Sequence, residues 1–327
     1  MTAMTYLEAG KQALASAMRN DPMVWCVGED LGRGGVFGQY RGLQEEFGPR
    51  RVADAPISEA CIMGAALGAA LVGTRPVVEM RFSDFALCAV DELVNQAAKA
   101  RFMFGGQCRA PMVVREPVGM WRSSAGQHSQ SLETWYAHIP GLVVACPATP
   151  QDNHDLLAAA IRCDDPVVYM EHKNLWGLEA EVDTGRGPVE LGEARLAKAG
   201  TDATIVSWSA TLHAASAACE ALAGEGIDAE LLDLRCLWPW DKTAVIESTR
   251  RTGRLIIAHE AVSVAGFGAE VAATVAERLH GQLKAPIRRL GAPRAQIAYA
   301  PNLEDQLRVT SDMIAAAVRE SITGVRT

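Results

Sequence analysis

The chain lacks any apolar run long enough to cross a bilayer; the longest, Ala60 to Val72, is short and loaded with alanine and glycine. No secretory leader is expected either. The start, MTAMTYLEAGKQALASAMRND, carries an amphipathic helical pattern rather than a charged stretch followed by an apolar one, so no membrane partner is expected. There is no basic tail: 31 Lys and Arg against 39 Asp and Glu leave a net charge of −8, which argues against nucleic acid as a partner. Cysteines at 26, 61, 88, 108, 146, 163, 219 and 236 include no CxxC pair, so a disulfide framework or redox motif is not expected. They read as reduced, mostly buried thiols of a cytoplasmic protein. No GxSxG elbow surrounds Ser129, which argues against serine hydrolysis. Gly34-Gly35-Val36-Phe37-Gly38 is glycine-rich but fits neither a Walker loop nor GxGxxG, so the chain has no self-sufficient phosphate cradle. What is present is core material: 327 residues, 49% hydrophobic and 21% charged, enough for one large domain or two ordinary ones.

Short β-rich runs alternate with helical patterns. Met23–Val27, Val77–Glu79, Met112–Arg115, Leu142–Cys146 and Val167–Glu171 read as strands, with helices near 3–17, 58–72, 88–102 and 151–162 between them. Such alternation implies an α/β fold with a parallel sheet covered on both faces. A polar stretch from Glu179 to Gly200 interrupts the pattern, which then restarts. Strands Thr204–Trp208, Ala229–Leu234, Arg254–His259 and Ile287–Leu290 alternate with helices near 211–224, 241–250 and 266–280. Two α/β domains are expected, 1–185 and 200–327, with the boundary between 180 and 200.

Three groups of residues stand out. Glu29 and Asp30 follow an apolar strand, at the end where open α/β sheets place ligands, although solvated turn residues look the same. Glu59 opens an almost wholly apolar helix, with Ser58 as the expected cap. A carboxylate there either complements the helix dipole or, if partly buried, needs a partner. His128, in Gly126-Gln127-His128-Ser129-Gln130, sits on a polar loop where an imidazole can move protons near neutral pH; a surface histidine is the plainer reading. The helix SEACIMGAALGAALV has one side nearly free of side chains, suited to tight internal packing or to a subunit interface.

The succession GED, GGVFG, GLQEEFGPRRVADAPISEACIMGAALGAA, GTRPVVEM, SDF, NQAAKARFMFGGQ, GQHSQSLETWYAHIPGL and PATPQDNHDLLAAAIRCDDPVVYMEHK resembles the β subunit of thiamine-diphosphate-dependent 2-oxo acid dehydrogenases. The resemblance covers nearly the whole chain. It implies a pyrimidine-binding parallel-sheet domain followed by a transketolase C-terminal-type domain. It also implies oxidative decarboxylation of a 2-oxo acid with acyl transfer to lipoamide. By the same resemblance Glu59 hydrogen-bonds the pyrimidine ring nitrogen and favours the imino tautomer, whose exocyclic nitrogen takes the proton from the thiazolium carbon. Phe85 packs against the pyrimidine, Ile57 and Glu29 line the same end, and His128 is the acid or base of acyl transfer. The turn Ala160-Ile161-Arg162-Cys163-Asp164-Asp165-Pro166 resembles one that holds potassium in relatives. There the carbonyls of Met112, Ala160, Ile161 and Cys163 and the side chain of Asp165 would be ligands; an ordinary helix-to-strand turn is the alternative.

The family's magnesium-diphosphate motif, GDG followed by an Asn, is missing. The resemblance therefore implies that an α subunit holds magnesium and the diphosphate, in an α2β2 heterotetramer that docks on a dihydrolipoyl acyltransferase core. Met120-Trp121-Arg122 stand where relatives carry mostly small residues, and Glu92 where Gln is common, so the substrate is not legible. An acetoin-cleaving or split transketolase-type subunit is the enzymatic alternative. A purely structural docking subunit is the non-enzymatic one, disfavoured by the joint presence of Glu59, Phe85 and His128.

Overall fold

The computed structural model describes residues 1–324, which divide into two compact units. Unit 1 comprises Met1–Gly119 and Trp135–Leu191; unit 2 comprises Met120–Thr134 and the described residues from Gly192 onward. The change of unit at Leu191 lies within the polar stretch. The 15-residue excursion at 120–134 has no signature in the sequence pattern.

Unit 1 contains β1 (Thr2–Thr5), α1 (Tyr6–Asn20), β2 (Val24–Gly28), α2 (Leu43–Phe47), β3 (Val52–Asp54), α3 (Glu59–Leu71), β4 (Arg75–Glu79), α4 (Ser83–Ala86), α5 (Ala98–Met103) and β5 (Val113–Val118). After the excursion and α6 (Glu133–Ala137), it continues with β6 (Val143–Ala145), α7 (Pro150–Arg162), β7 (Val167–His172) and β8 (Glu179–Val182). Its main strands run in the order β6-β7-β5-β4-β2-β3 and all pair in parallel. Val-rich runs such as Val77-Val78 and Val113-Val114 are buried, as a sheet covered on both faces requires. Helix α1 is started by a capping box, in which Thr5 Oγ1 accepts from the Glu8 amide and Glu8 reaches back to the Thr5 amide. Thr149 caps α7 ahead of Pro150, and α1 packs on α7.

Unit 2 contains β9 (Arg195–Lys198), β10 (Ala203–Ser207), α8 (Thr211–Ala223), β11 (Ala229–Asp233), β12 (Cys236–Trp238), α9 (Lys242–Thr252), β13 (Leu255–Val262), α10 (Phe267–Arg278), β14 (Arg288–Ala292), α11 (Pro301–Asp305) and α12 (Ser311–Thr323). Its sheet has the order β14-β13-β10-β11-β9, parallel except for the antiparallel edge strand β9.

Several sequence expectations need correction. The first helix begins at Tyr6, because Thr2–Thr5 pair antiparallel with Glu179–Val182. The polar stretch therefore contains a strand, and Arg195–Lys198 form another. Ser58 does not cap α3; its hydroxyl donates to the Pro56 carbonyl instead. Only Cys26, Cys146, Cys219 and Cys236 are buried, whereas Cys61 and Cys88 are exposed. The small-residue side of α3 faces outward: Cys61, Ala65, Gly68 and Val72 are exposed, and nothing lies within 4 Å of where a Gly68 side chain would begin.

Candidate active site

Parallel pairing brings the carboxyl ends of β4, β2 and β3 side by side, and the segments leaving those ends carry four of the predicted residues. Glu29 follows β2. Ile57 and Glu59 follow β3, with Glu59 in the first turn of α3. Phe85 lies in α4, after β4. This is the crevice where open parallel sheets bind ligands. A cavity of about 760 Å³ in the same unit opens at the other edge, near the first residues of β2 and β4, and of the predicted residues only Ile161 lines it.

Glu59 is half-buried, and no hydrogen bond or ion pair of it occurs among the described residues. Ile57 beside it is 77% exposed, an unusual position for a large apolar side chain. The half-buried Phe85 ring meets Phe82 edge-on at 5.2 Å, and Phe82 meets Phe37 edge-on at 5.6 Å. The buried Lys173 ammonium lies 4.8 Å from the Phe82 ring centre. Phe85 is thus fixed from behind by an aromatic cluster. Glu29 is buried and already partnered: Arg81 donates to it at 2.8 Å, tying the end of β2 to the end of β4. Its place in the site is to hold Arg81 rather than to offer a free carboxylate.

Beneath this edge lies a charged layer that sequence reasoning passed over. Arg115 donates to Glu171 through Nε at 2.8 Å and through its terminal nitrogen at 2.9 Å. Glu79 lies 4.0 Å from Arg115 and accepts from the Tyr40 hydroxyl at 3.0 Å. Burial pushes the Glu79 carboxyl up to about 7, against the pull of Arg115. Glu116, on the next position of β5, is fully buried. Burial holds its carboxyl well above the usual range, against the opposing pull of the Tyr136 and Ser83 hydroxyls. The available signal was a charged Arg115-Glu116 pair inside an otherwise apolar strand.

His128 belongs to unit 2. It is half-buried, on a loop in which Arg122, Ser123 and Ala125 take left-handed backbone at φ of 47°, 57° and 59°. Such positions cost on the order of 1–2 kcal/mol each for residues with a side chain, and they persist only where the surroundings impose them. Ser124 donates to the Trp121 carbonyl through its amide at 3.1 Å and its hydroxyl at 2.6 Å. The Arg122 guanidinium lies 4.9 Å from the Trp121 ring centre, so two of the three residues that depart from small types stack together, while Met120 is buried. The loop is a held structure rather than a flexible one.

The residues expected to bind potassium are all engaged. The Arg75 guanidinium donates to the Ile161 and Cys163 carbonyls at 3.0 Å each, and to Asp164 at 2.8 Å. The Ala160 carbonyl accepts from the Cys163 amide and the Met112 carbonyl from the Val167 amide. Asp165 accepts from Arg101 at 2.6 Å, and Arg109 pairs with Asp164. Three guanidinium groups therefore face two carboxylates. A site that is already positive and already supplied with donors does not fit a further cation.

Residues 2–177 match the transketolase pyrimidine-binding domain, and residues 192–314 the transketolase C-terminal domain. The β subunit of acetoin:2,6-dichlorophenolindophenol oxidoreductase from Cupriavidus necator is 42% identical over 324 residues, 96% of each chain. The 2-oxoisovalerate dehydrogenase β subunit from Bacillus subtilis is 39% identical, over 98% of this chain and 99% of its own. The chain belongs to the β-subunit family of the 2-oxo acid and acetoin dehydrogenases. A solved structure described as a split-gene transketolase, an inactive β4 tetramer, superposes with a TM-score of 0.79 over 98% of both chains; at 22% identity it attests the fold alone. Glu59, Phe85 and His128 all fall within the residues that match the pyrimidine-binding domain, although the 120–134 excursion carrying His128 belongs to unit 2.

Proposed function

We propose that this chain is the β half of a thiamine-diphosphate-dependent enzyme that oxidatively decarboxylates a 2-oxo acid and passes the acyl group to lipoamide. The observation that carries the reading is Glu59: a half-buried acid without a hydrogen bond or ion pair among the described residues, lying with Phe85 and Ile57 on the ligand-binding edge of a parallel sheet. One carboxylate acceptor beside an aromatic face and an exposed aliphatic side chain suits a planar, nitrogen-containing ring. When bound, thiamine diphosphate supplies the carbon nucleophile and the electron sink that the chain's own residues lack. Glu59 accepts a hydrogen bond from the protonated pyrimidine nitrogen and holds that proton; Phe85 fixes the ring plane, and Ile57 helps to exclude water. His128 delivers a proton to the lipoyl sulfur released when the disulfide opens. In balance, the oxo acid loses carbon dioxide, its two electrons reduce the disulfide, one sulfur takes the acyl group and the other the proton.

Among the described residues, no three His, Cys, Asp or Glu gather as metal ligands. In this reading the α subunit of an α2β2 heterotetramer supplies the diphosphate and magnesium contacts, potassium has no role, and the complex docks on a dihydrolipoyl acyltransferase core. The identity to the acetoin oxidoreductase subunit supports a second reading, cleavage of acetoin with the same cofactor. Co-expression with the α subunit, followed by assay on a panel of 2-oxo acids and acetoin, decides between them. Carbon dioxide release with lipoamide acylation is expected. Acetoin cleavage without decarboxylation establishes the second reading, and inertness towards both substrates overturns the proposal.

A further inference from the structure

We infer that Glu260 is a positioning residue that closes the His128 loop into a ring and thereby sets the efficiency of acyl transfer. The inference rests on the proton-transfer role given to His128 above. Glu260 lies in β13, seven residues before the start of α10, and its carboxylate reaches both ends of the excursion. Oε1 accepts from the Met120 amide at 2.7 Å and from the Ser131 hydroxyl at 3.3 Å. Arg308 completes the grip: both terminal nitrogens donate to the Met120 carbonyl at 3.2 Å, and one lies 3.8 Å from Glu260 Oε2. Arg308 is itself held by Glu304 and by Asp305. The amide and carbonyl of a single residue, Met120, are thus taken by an acid and a base that face each other.

Further along, the Trp208 indole donates to Glu133 at 3.2 Å and the Phe267 amide to the Thr134 hydroxyl at 3.0 Å. All of these partners lie in unit 2. The closure at Met120 and Ser131 spans the three left-handed residues and His128. A strained loop tied only at its chain ends relaxes; tied across its neck by one carboxylate, it keeps His128 in a single register. Glu260 does not touch the reacting atoms in this account. It acts through the backbone that carries the imidazole.

The test uses the assembled α–β enzyme and two assays: decarboxylation with an artificial electron acceptor, and lipoamide acylation. Glu260→Ala should slow acylation about ten- to hundredfold, the scale set by losing hydrogen bonds to a charged group. Decarboxylation should stay within about twofold, because the sheet edge carrying Glu59 is untouched. Glu260→Gln retains an acceptor oxygen and should recover most of the loss. On a His128→Ala background Glu260→Ala should add nothing. Equal losses in both assays, or additive losses in the double variant, overturn the positioning role. If Glu260→Ala does not assemble, Ser131→Ala removes one arm of the closure and should show the same selectivity on a smaller scale; no selectivity there also overturns it. A His128→Ala variant with normal acylation refutes the proton-transfer reading itself, which is a separate result.

Discussion

The two units differ in which ionisable group they bury away from its usual charge: a carboxyl in unit 1 and an imidazole in unit 2. Unit 1 buries charge in company: Arg115 is shared by Glu171 and Glu79, with Tyr40 and Asn153 supplying further hydrogen bonds. Unit 2 also buries paired acids, Asp233 with Arg195 and Glu230 with Arg251, and besides them an imidazole. His259 is fully buried in β13 and stacked 5.0 Å from Trp208. Glycines at 266, 268 and 291 admit it: a side chain at any of them would begin within 2.9 Å of the ring. Burial lowers its pKa to about 4, Arg289 pushes the same way, and the Ala261 backbone only partly opposes them. The difference teaches that a buried carboxyl and a buried imidazole give similar parallel sheets opposite responses to pH.

The largest expected effect is in unit 1. Arg115→Met strands Glu171 and should destabilise the protein by about 3–5 kcal/mol, the usual cost of removing one member of a buried pair. Denaturant titration measures it, and a loss below about 1 kcal/mol, as for surface pairs, would show that the network is not a unit.

Next is the buried imidazole. The unfolded chain takes up a proton near pH 6.5 that folded His259 refuses until about pH 4, so its contribution is present above pH 6.5 and lost as pH falls through that window. A shift from 6.5 to about 4 corresponds to about 3 kcal/mol. Glu79 acts with the other sign: folded, it keeps its proton up to about pH 7 while the unfolded chain loses it near 4.5, so stability declines as pH rises between them. Melting temperature against pH should therefore lose its acid limb in His259→Phe and its fall towards neutrality in Glu79→Gln. Unchanged slopes in either variant contradict the assignment. The smallest expected effect is that of potassium. Replacing it by sodium or choline should leave the melting temperature unmoved, because Arg75 already serves the Ile161 and Cys163 carbonyls.

Alternation of apolar runs and helical periods was enough to place most of the parallel strands, and the sheet edge then follows from strand order. Short strands without such periodicity escaped: Thr2–Thr5 and Glu179–Val182 exist only because each pairs with the other. The helix Ser311–Thr323 also escaped, although Thr310 caps it. The assignment of residues 120–134 to unit 2 depends on tertiary contacts of Glu260, Arg308 and Trp208, more than 70 positions away. No local pattern encodes these. Glu59 was legible because an acid opening an apolar helix is conspicuous; Arg75 was not, because its partners are backbone carbonyls.

The central claim is that Glu59 on the unit 1 sheet edge activates the cofactor, while the unit 2 loop serves only the later transfer. Exchange of the thiazolium proton into heavy water, followed in the assembled enzyme with saturating thiamine diphosphate, tests it most directly. Glu59→Gln keeps the size of the side chain but not its charge, and should slow exchange about 10²–10⁴-fold, the range for losing a positioned proton-transfer partner. His128→Ala should leave exchange at the wild-type rate. Exchange unchanged in Glu59→Gln with cofactor binding intact, or slowed equally in both variants, would contradict the account.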